Sequence, residues 1–226
     1  MIKYKNLVII GTSHIAIQSI NEVKQAVNTL KPDFIALELD LRRFQALTSK
    51  KEKRGIANPF ELGLIGFIFN QIGAYAEKKL GELVGISPGS EMIEAIKLAK
   101  KNNIKIALID QDIKITLKKL SKNITKKEKW NFIVDLFKAI FSRKNKIKID
   151  LTKVPEKEFI KQLLDQVKER YPNFYKVIIE DRNKAMAKNL YTLISQNKDS
   201  KILAIIGAGN EEDLIDELKG VFKNKV

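Results

Sequence analysis

Four short apolar runs end in glycine or acidic residues, and this pattern limits the chain more than any other. Leu7-Val8-Ile9-Ile10 runs into Gly11-Thr12-Ser13-His14, and the run from Phe34 to Asp40 carries Glu38 and Asp40 near its end. Ile104 to Ile109 is closed by Asp110-Gln111-Asp112, and Ile202 to Ile206 runs into Gly207-Ala208-Gly209-Asn210. Such runs read as buried strands that stop at tight turns. Between the first two, Ser19 to Leu30 places Ile20, Val23, Val27 and Leu30 at helical spacing, closed by Lys31-Pro32-Asp33. That is a βαβ unit with a right-handed crossover. The expected fold is α/β, a central, mostly parallel sheet with helices on both faces and a helical lid or insert. In a parallel sheet the four polar endings gather on one edge, where ligands bind.

Within the second strand a period of two puts Ile35, Leu37 and Leu39 on one face and Ala36, Glu38 and Asp40 on the other. A carboxylate inside an apolar strand is costly unless paired or liganded, so Glu38 is a candidate functional residue. The alternative is a structural ion pair with Arg42 or Arg43. His14, the only histidine, sits on the first turn; its plainer reading is a surface residue beside a helix cap formed by Thr12 or Ser13.

The 226 residues suffice for one domain, 1–226, with a helical segment at 55–85 and a basic helical insert at about 118–172. With no cysteine there is no disulfide, no thiolate nucleophile and no cysteine-ligated metal. One histidine leaves any metal site mostly oxygen-liganded, which suits Mn, Mg or Ca. The N-terminus shows no signal-peptide pattern and no apolar stretch is long enough to span a bilayer, so a cytoplasmic location is expected.

The formal charge is +15, but thirteen basic and four acidic residues fall between Lys118 and Lys157, which holds most of the excess. Only six of 42 basic residues are arginine. Bidentate recognition of phosphates and bases favours arginine, so a nucleic-acid partner is not expected.

The stretch Phe60 to Val84 is apolar, helical in pattern and broken by Gly63, Gly66, Gly73 and Gly81. It is expected to cover the site or to form a homodimer through 60–84. Ser90 is the expected cap of a helix carrying Ile93, Ile96, Leu98 and Ala99. Trp130, Phe132, Ile133, Leu136, Phe137 and Ile140 give the basic segment a local apolar face. Glu158 to Tyr171 and Asn173 to Gln196 read as long helices divided at Pro172.

The gathered endings suit metal-assisted or carboxylate-assisted hydrolysis. Glu38 would act as base or ligand, and Arg182 would stabilise an oxyanion. The glycine turns, with Gly11, Thr12, Ser13, Gly207 and Gly209, allow close approach of a ligand; Asp40, Asp110 and Gln111 complete the candidate ligand-binding set. Gly207-Ala208-Gly209 lacks the third glycine of a dinucleotide fingerprint, so no nucleotide cofactor is expected.

Several segments together resemble the TraB/PrgY (pheromone shutdown) family. They are Gly11-Thr12-Ser13-His14, Ala36-Leu37-Glu38-Leu39-Asp40 with Arg42, Pro88-Gly89-Ser90-Glu91-Met92, Leu108-Ile109-Asp110-Gln111-Asp112-Ile113 with Thr116-Leu117, Glu180-Asp181-Arg182 with Met186-Ala187, and Ile206-Gly207-Ala208-Gly209-Asn210. Their order and spacing match along nearly the whole chain. The family is related to the Tiki proteases and to erythromycin-esterase-like and ChaN-like proteins. The resemblance implies an α/β fold and a metal-dependent hydrolase acting on peptides.

Its motifs, two GxxH turns, a strand glutamate and an arginine, carry over to His14, Glu38 and Arg182, with Arg42 as companion. His14, Glu38 and Asn210 would then hold a divalent ion, Mn or Co, and Glu38, Arg182 and Arg42 would serve catalysis. Two positions depart from the pattern: Asn210 stands where the second turn has histidine, and Gln111 where arginine is usual. Asparagine offers an amide oxygen to a hard cation but is a poor zinc ligand and no base. The competing expectation is a catalytically impaired protein of the same fold that binds or sequesters a peptide or small ligand.

Overall fold

The computed structural model describes residues 1–12, 17–49, 89–141 and 157–224. Five strands form one sheet: β1 (Ile2–Tyr4), β2 (Leu7–Thr12), β3 (Phe34–Leu37), β4 (Lys105–Leu108) and β5 (Ile202–Gly207), in the order β1-β2-β5-β3-β4. β1 pairs antiparallel with β2, and every other pairing is parallel, as the α/β reading requires. The last strand lies at the centre, with Leu7 opposite Ile202 on one side and Phe34 opposite Ile202 on the other. The endings of β2, β3 and β5 are therefore neighbours although the sequence separates them.

Alternation along the strands feeds two cores, each a continuous apolar layer whose burial drives folding. On one face Leu37, Leu39 and Ile205 pack with Val23 and Val27 of α1 (Ile17–Leu30) and with Met92 and Ile96 of α3 (Ser90–Lys101). On the other, Ala36, Ala204 and Ile206 pack with Met186 and Leu190 of α8 (Asp181–Gln196) and with Leu214 and Leu218 of α9 (Glu211–Lys223). The period of two read from the sequence thus holds: Ile35, Leu37 and Leu39 lie on the α1 face, Ala36 on the α8 face.

Several local expectations need correction. β3 ends at Leu37, and the Leu39 N–H bends back to the Leu37 carbonyl at 2.7 Å, so Glu38 and Asp40 leave the strand. Asp40 caps the short α2 (Leu41–Thr48), accepting from the Arg42 and Arg43 N–H groups. α3 has Gly89 as its N-cap, in the left-handed region at φ 78°, and Ser90 is its first helical residue; glycine enters that region without the Cβ clash other residues meet.

The helix after Pro172 is not uniform. α7 (Pro172–Tyr175) leads into a π-helical segment, Lys176–Glu180, before α8 begins. The basic segment contributes α4 (Ile113–Asn123) and α5 (Lys126–Phe141), and Leu120 and Ile124 pack with Val177 of the π segment. Trp130 and Ile133 on α5 are exposed among the described residues, so the expected apolar face does not close over them. α6 (Lys157–Arg170) completes the order. The expected dimer helix at 60–84 lies outside the described residues. Among the described residues no helix is long and apolar enough to cross a membrane.

Candidate functional site

Glu38 is the first residue past β3, and its side chain meets that of Arg182 in the first turn of α8. Arg182 Nη2 lies 2.7 Å from Glu38 Oε1 and 2.7 Å from Asp110 Oδ2, and its Nε is 3.0 Å from Asp110 Oδ1. The two carboxylates are 4% and 3% exposed and the guanidinium 15%. Burial opposes a charged guanidinium, but the fields of Glu38 and Asp110 outweigh it and hold Arg182 still more firmly protonated than usual. Its Nη1 donates to the Ile178 carbonyl, fixing the planar group against the π segment.

Glu38 has further donors. The Gly207 N–H reaches Oε2 at 2.6 Å, and Asn210 Nδ2 reaches Oε1 at 3.3 Å. The turn after β5 is therefore tied to the end of β3 through one carboxylate. Asn210 stands at the N-cap of α9 without capping it by its side chain, because that side chain faces Glu38.

Of the remaining candidates, Thr12 Oγ1 donates to the Ile206 carbonyl at 3.1 Å, which turns the hydroxyl back into the sheet. Gly11 serves a packing purpose: a Cβ there would come within 2.4 Å of the Glu211 carboxyl carbon and 2.9 Å of Ala208 Cα. Its expected close approach is to α9. Asp40 accepts the Arg42, Arg43 and Ile113 N–H groups and so fastens the starts of α2 and α4. Gln111 Nε2 donates to Thr116 Oγ1, and Lys119 bridges towards Gln111 and Asp181. Arg42 does not join Glu38; it faces Asp112 at 3.5 Å with both side chains half exposed. Arg43 approaches Asp110 at 3.7 Å instead. Gly209 lines a cleft beside the turn. His14 and Ser13 lie outside the described residues.

Two buried residues at this edge escaped the sequence reading. Glu211 is 5% exposed directly after Asn210, and Asn183 is 1% exposed directly after Arg182. Both neighbour residues already singled out, but a polar residue in the first turn of a helix carries no mark of burial in sequence.

The arrangement tests the metal that the resemblance implies. A carboxylate offers about four lone-pair positions, and three donors take three of those of Glu38. The space between Glu38 and Asp110 is filled by the Arg182 cation, so an ion bridging them would have to displace it. Among the described residues no group of three or more His, Cys, Asp or Glu side chains is placed to hold a metal. Of the three expected ligands, Glu38 and Asn210 face one another at 3.3 Å, and His14 lies outside the described residues.

The TraB/PrgY/gumN family model matches residues 3–217. The chain belongs to that family. An uncharacterized protein of Methanocaldococcus jannaschii, MJ1365, is 39% identical over 219 residues, covering 95% of this chain and 53% of the relative. The human TraB domain-containing protein is 23% identical over 191 residues, covering 77% of this chain and 49% of the relative. The chain thus spans about half the length of the curated relatives it matches.

Proposed function

We propose that this TraB-family domain binds a peptide or small ligand at the carboxyl edge of its sheet and does not hydrolyse it through a metal at Glu38. The observation that supports this reading is the position of Arg182 Nη2, 2.7 Å from both Glu38 and Asp110. A guanidinium shared by two buried carboxylates offsets one of their two charges and takes up acceptor positions on both. Glu38 is then an anchor for the turn at Gly207 rather than a proton acceptor for water, and Asn210 supplies an amide donor where a base would be needed.

Incubation of the purified protein with a mixed peptide library and added Mn²⁺ or Co²⁺, read by mass spectrometry, tests this. Intact peptides, with a subset retained on the protein, are expected. Fragments that require the added metal and vanish in Glu38→Gln would overturn the reading in favour of the metal-dependent peptidase. Cleavage that emerges only in Asn210→His would support a site that kept its geometry and lost its chemistry.

A further inference from the structure

We propose that the cleft between α6, α8 and α9 binds an organic ammonium group, carried by a free polyamine or by a lysine side chain of a peptide. The inference rests on the ligand-binding reading above and gives its ligand a chemistry.

The cleft has a volume of about 980 Å³ and opens beside the turn that carries Ala208 and Gly209. That is the size of a small-molecule site. Eight carboxylates and three lysines line it among the described residues, in a chain whose formal charge is +15. The local reversal of sign concentrates cations there and repels anions. One of the lysines, Lys168, already pairs with Glu180 at 3.2 Å.

Charge alone would not specify a ligand, but Asn183 does. Its side chain is buried to 1% exposure and lines the cleft, and its Oδ1 has no hydrogen-bond partner among the described residues. An unsatisfied buried acceptor costs roughly 1–3 kcal/mol, so a ligand that supplies an N–H donor gains by filling it. An ammonium offers three donors and no acceptor, which matches an amide oxygen among carboxylates.

Two features favour an organic cation over a bare ion. The carboxylates are spread along the cleft wall and form no metal-holding group among the described residues. Leu164, Tyr175 and Gly220 give the wall apolar surface for a methylene stem, and the Tyr175 ring already carries the Lys168 ammonium 5.0 Å from its centroid. The cleft wall thus already receives one ammonium on an aromatic ring. Arg182 and Asn183 lie in the first turn of α8, just after the π segment, a type of insertion that recurs at functional sites.

Isothermal titration with spermidine, Nα-acetyl-lysine methylamide and MgCl₂ in moderate salt tests the proposal on the full chain. Saturable binding of at least one amine is expected, weakened at least about tenfold by Asn183→Leu. The double variant Asp213→Asn/Asp216→Asn, at exposed positions where folding is not at stake, should weaken it about threefold or more. Binding of spermidine alone assigns a polyamine; binding of the lysine amide assigns a peptide side chain. No saturable amine binding, amine affinity unchanged in both variants, or equal occupation by Mg²⁺ would overturn the proposal. If neither amine bound while N-acetylated, lysine-free peptides were still retained uncleaved, the ammonium inference would fall and the binding reading would stand.

Discussion

Two arginine–aspartate forks in this protein have nearly the same geometry and opposite significance. Arg182 grips Asp110 with Nε and Nη2 at 3.0 and 2.7 Å, inside the molecule. Arg170 grips Asp135 through the same two atoms, with Nη2 at 2.6 Å, but its side chain is 43% exposed and that of Asp135 34%. Bonding distance does not separate them. What differs is the surroundings of the charges when one partner is removed. At the surface, water replaces the lost cation; under α8 nothing does, and Glu38 would remain beside Asp110 in a dry site.

The largest effect should therefore follow Arg182→Met. It takes the guanidinium from Glu38 and leaves Asp110 only the more distant Arg43, at 3.7 Å, and is expected to cost about 3–5 kcal/mol by urea denaturation. Replacing the set together, as Glu38→Gln/Asp110→Asn/Arg182→Met, should recover much of that loss, because most of it is the penalty for unpaired charge. A loss below about 1 kcal/mol in Arg182→Met would mean that water reaches the fork and that the contrast with Arg170 is empty.

How far this contrast could be read from sequence depends on which physical fact is local. Glu38 was legible because a carboxylate in an apolar strand is anomalous over seven residues, and the period of two gave its face correctly. Its partner was not legible. Arg42 and Arg43 were the near arginines, yet the ion pair is made by Arg182, 144 residues away. The sheet order decides this: β5 enters between β2 and β3, so the long return from β4 brings α8 across the Glu38 face. The π segment that aims Arg182 leaves no compositional trace, since one extra residue in a helical turn changes hydrogen bonding and not amino-acid preference. Gly11 was read as room for a ligand when the space belongs to Glu211, because a glycine reports a close approach without naming what approaches.

Glu128 sharpens the comparison from the other side, being a buried carboxylate held with no arginine at all. It closes a capping box with Thr125 at the start of α5 and accepts the Asn173 and Phe174 N–H groups at 2.7 and 3.2 Å. Burial pushes its proton affinity up, but the bonds from Thr125, Phe174 and Asn173 pull it below the usual range. Glu128→Ala should cost about 1–2 kcal/mol, less than Arg182→Met, because it removes the charge and leaves only N–H groups and the Thr125 hydroxyl to find water. A loss equal to that of Arg182→Met would show that the hydrogen-bond donors left without an acceptor, and not an unpaired charge, set the scale.

The smallest effect belongs to the exposed fork and is best seen against pH. The hydrogen bonds from Arg170, with help from Tyr171, draw the Asp135 carboxyl from 3.8 down to about 2. A folded-state value below the unfolded one means that the pair stabilises the protein above the unfolded value and loses this contribution as pH falls through the folded one. Thermal unfolding of wild type and Asp135→Asn should therefore differ slightly at neutral pH and converge between about pH 4 and pH 2. Raising the salt at neutral pH should narrow the same gap, since the pair is open to screening. A gap that stayed constant down to about pH 2 and ignored salt would show that the stabilisation arises from packing of the Arg170 stem and the Tyr171 ring rather than from the charge on Asp135.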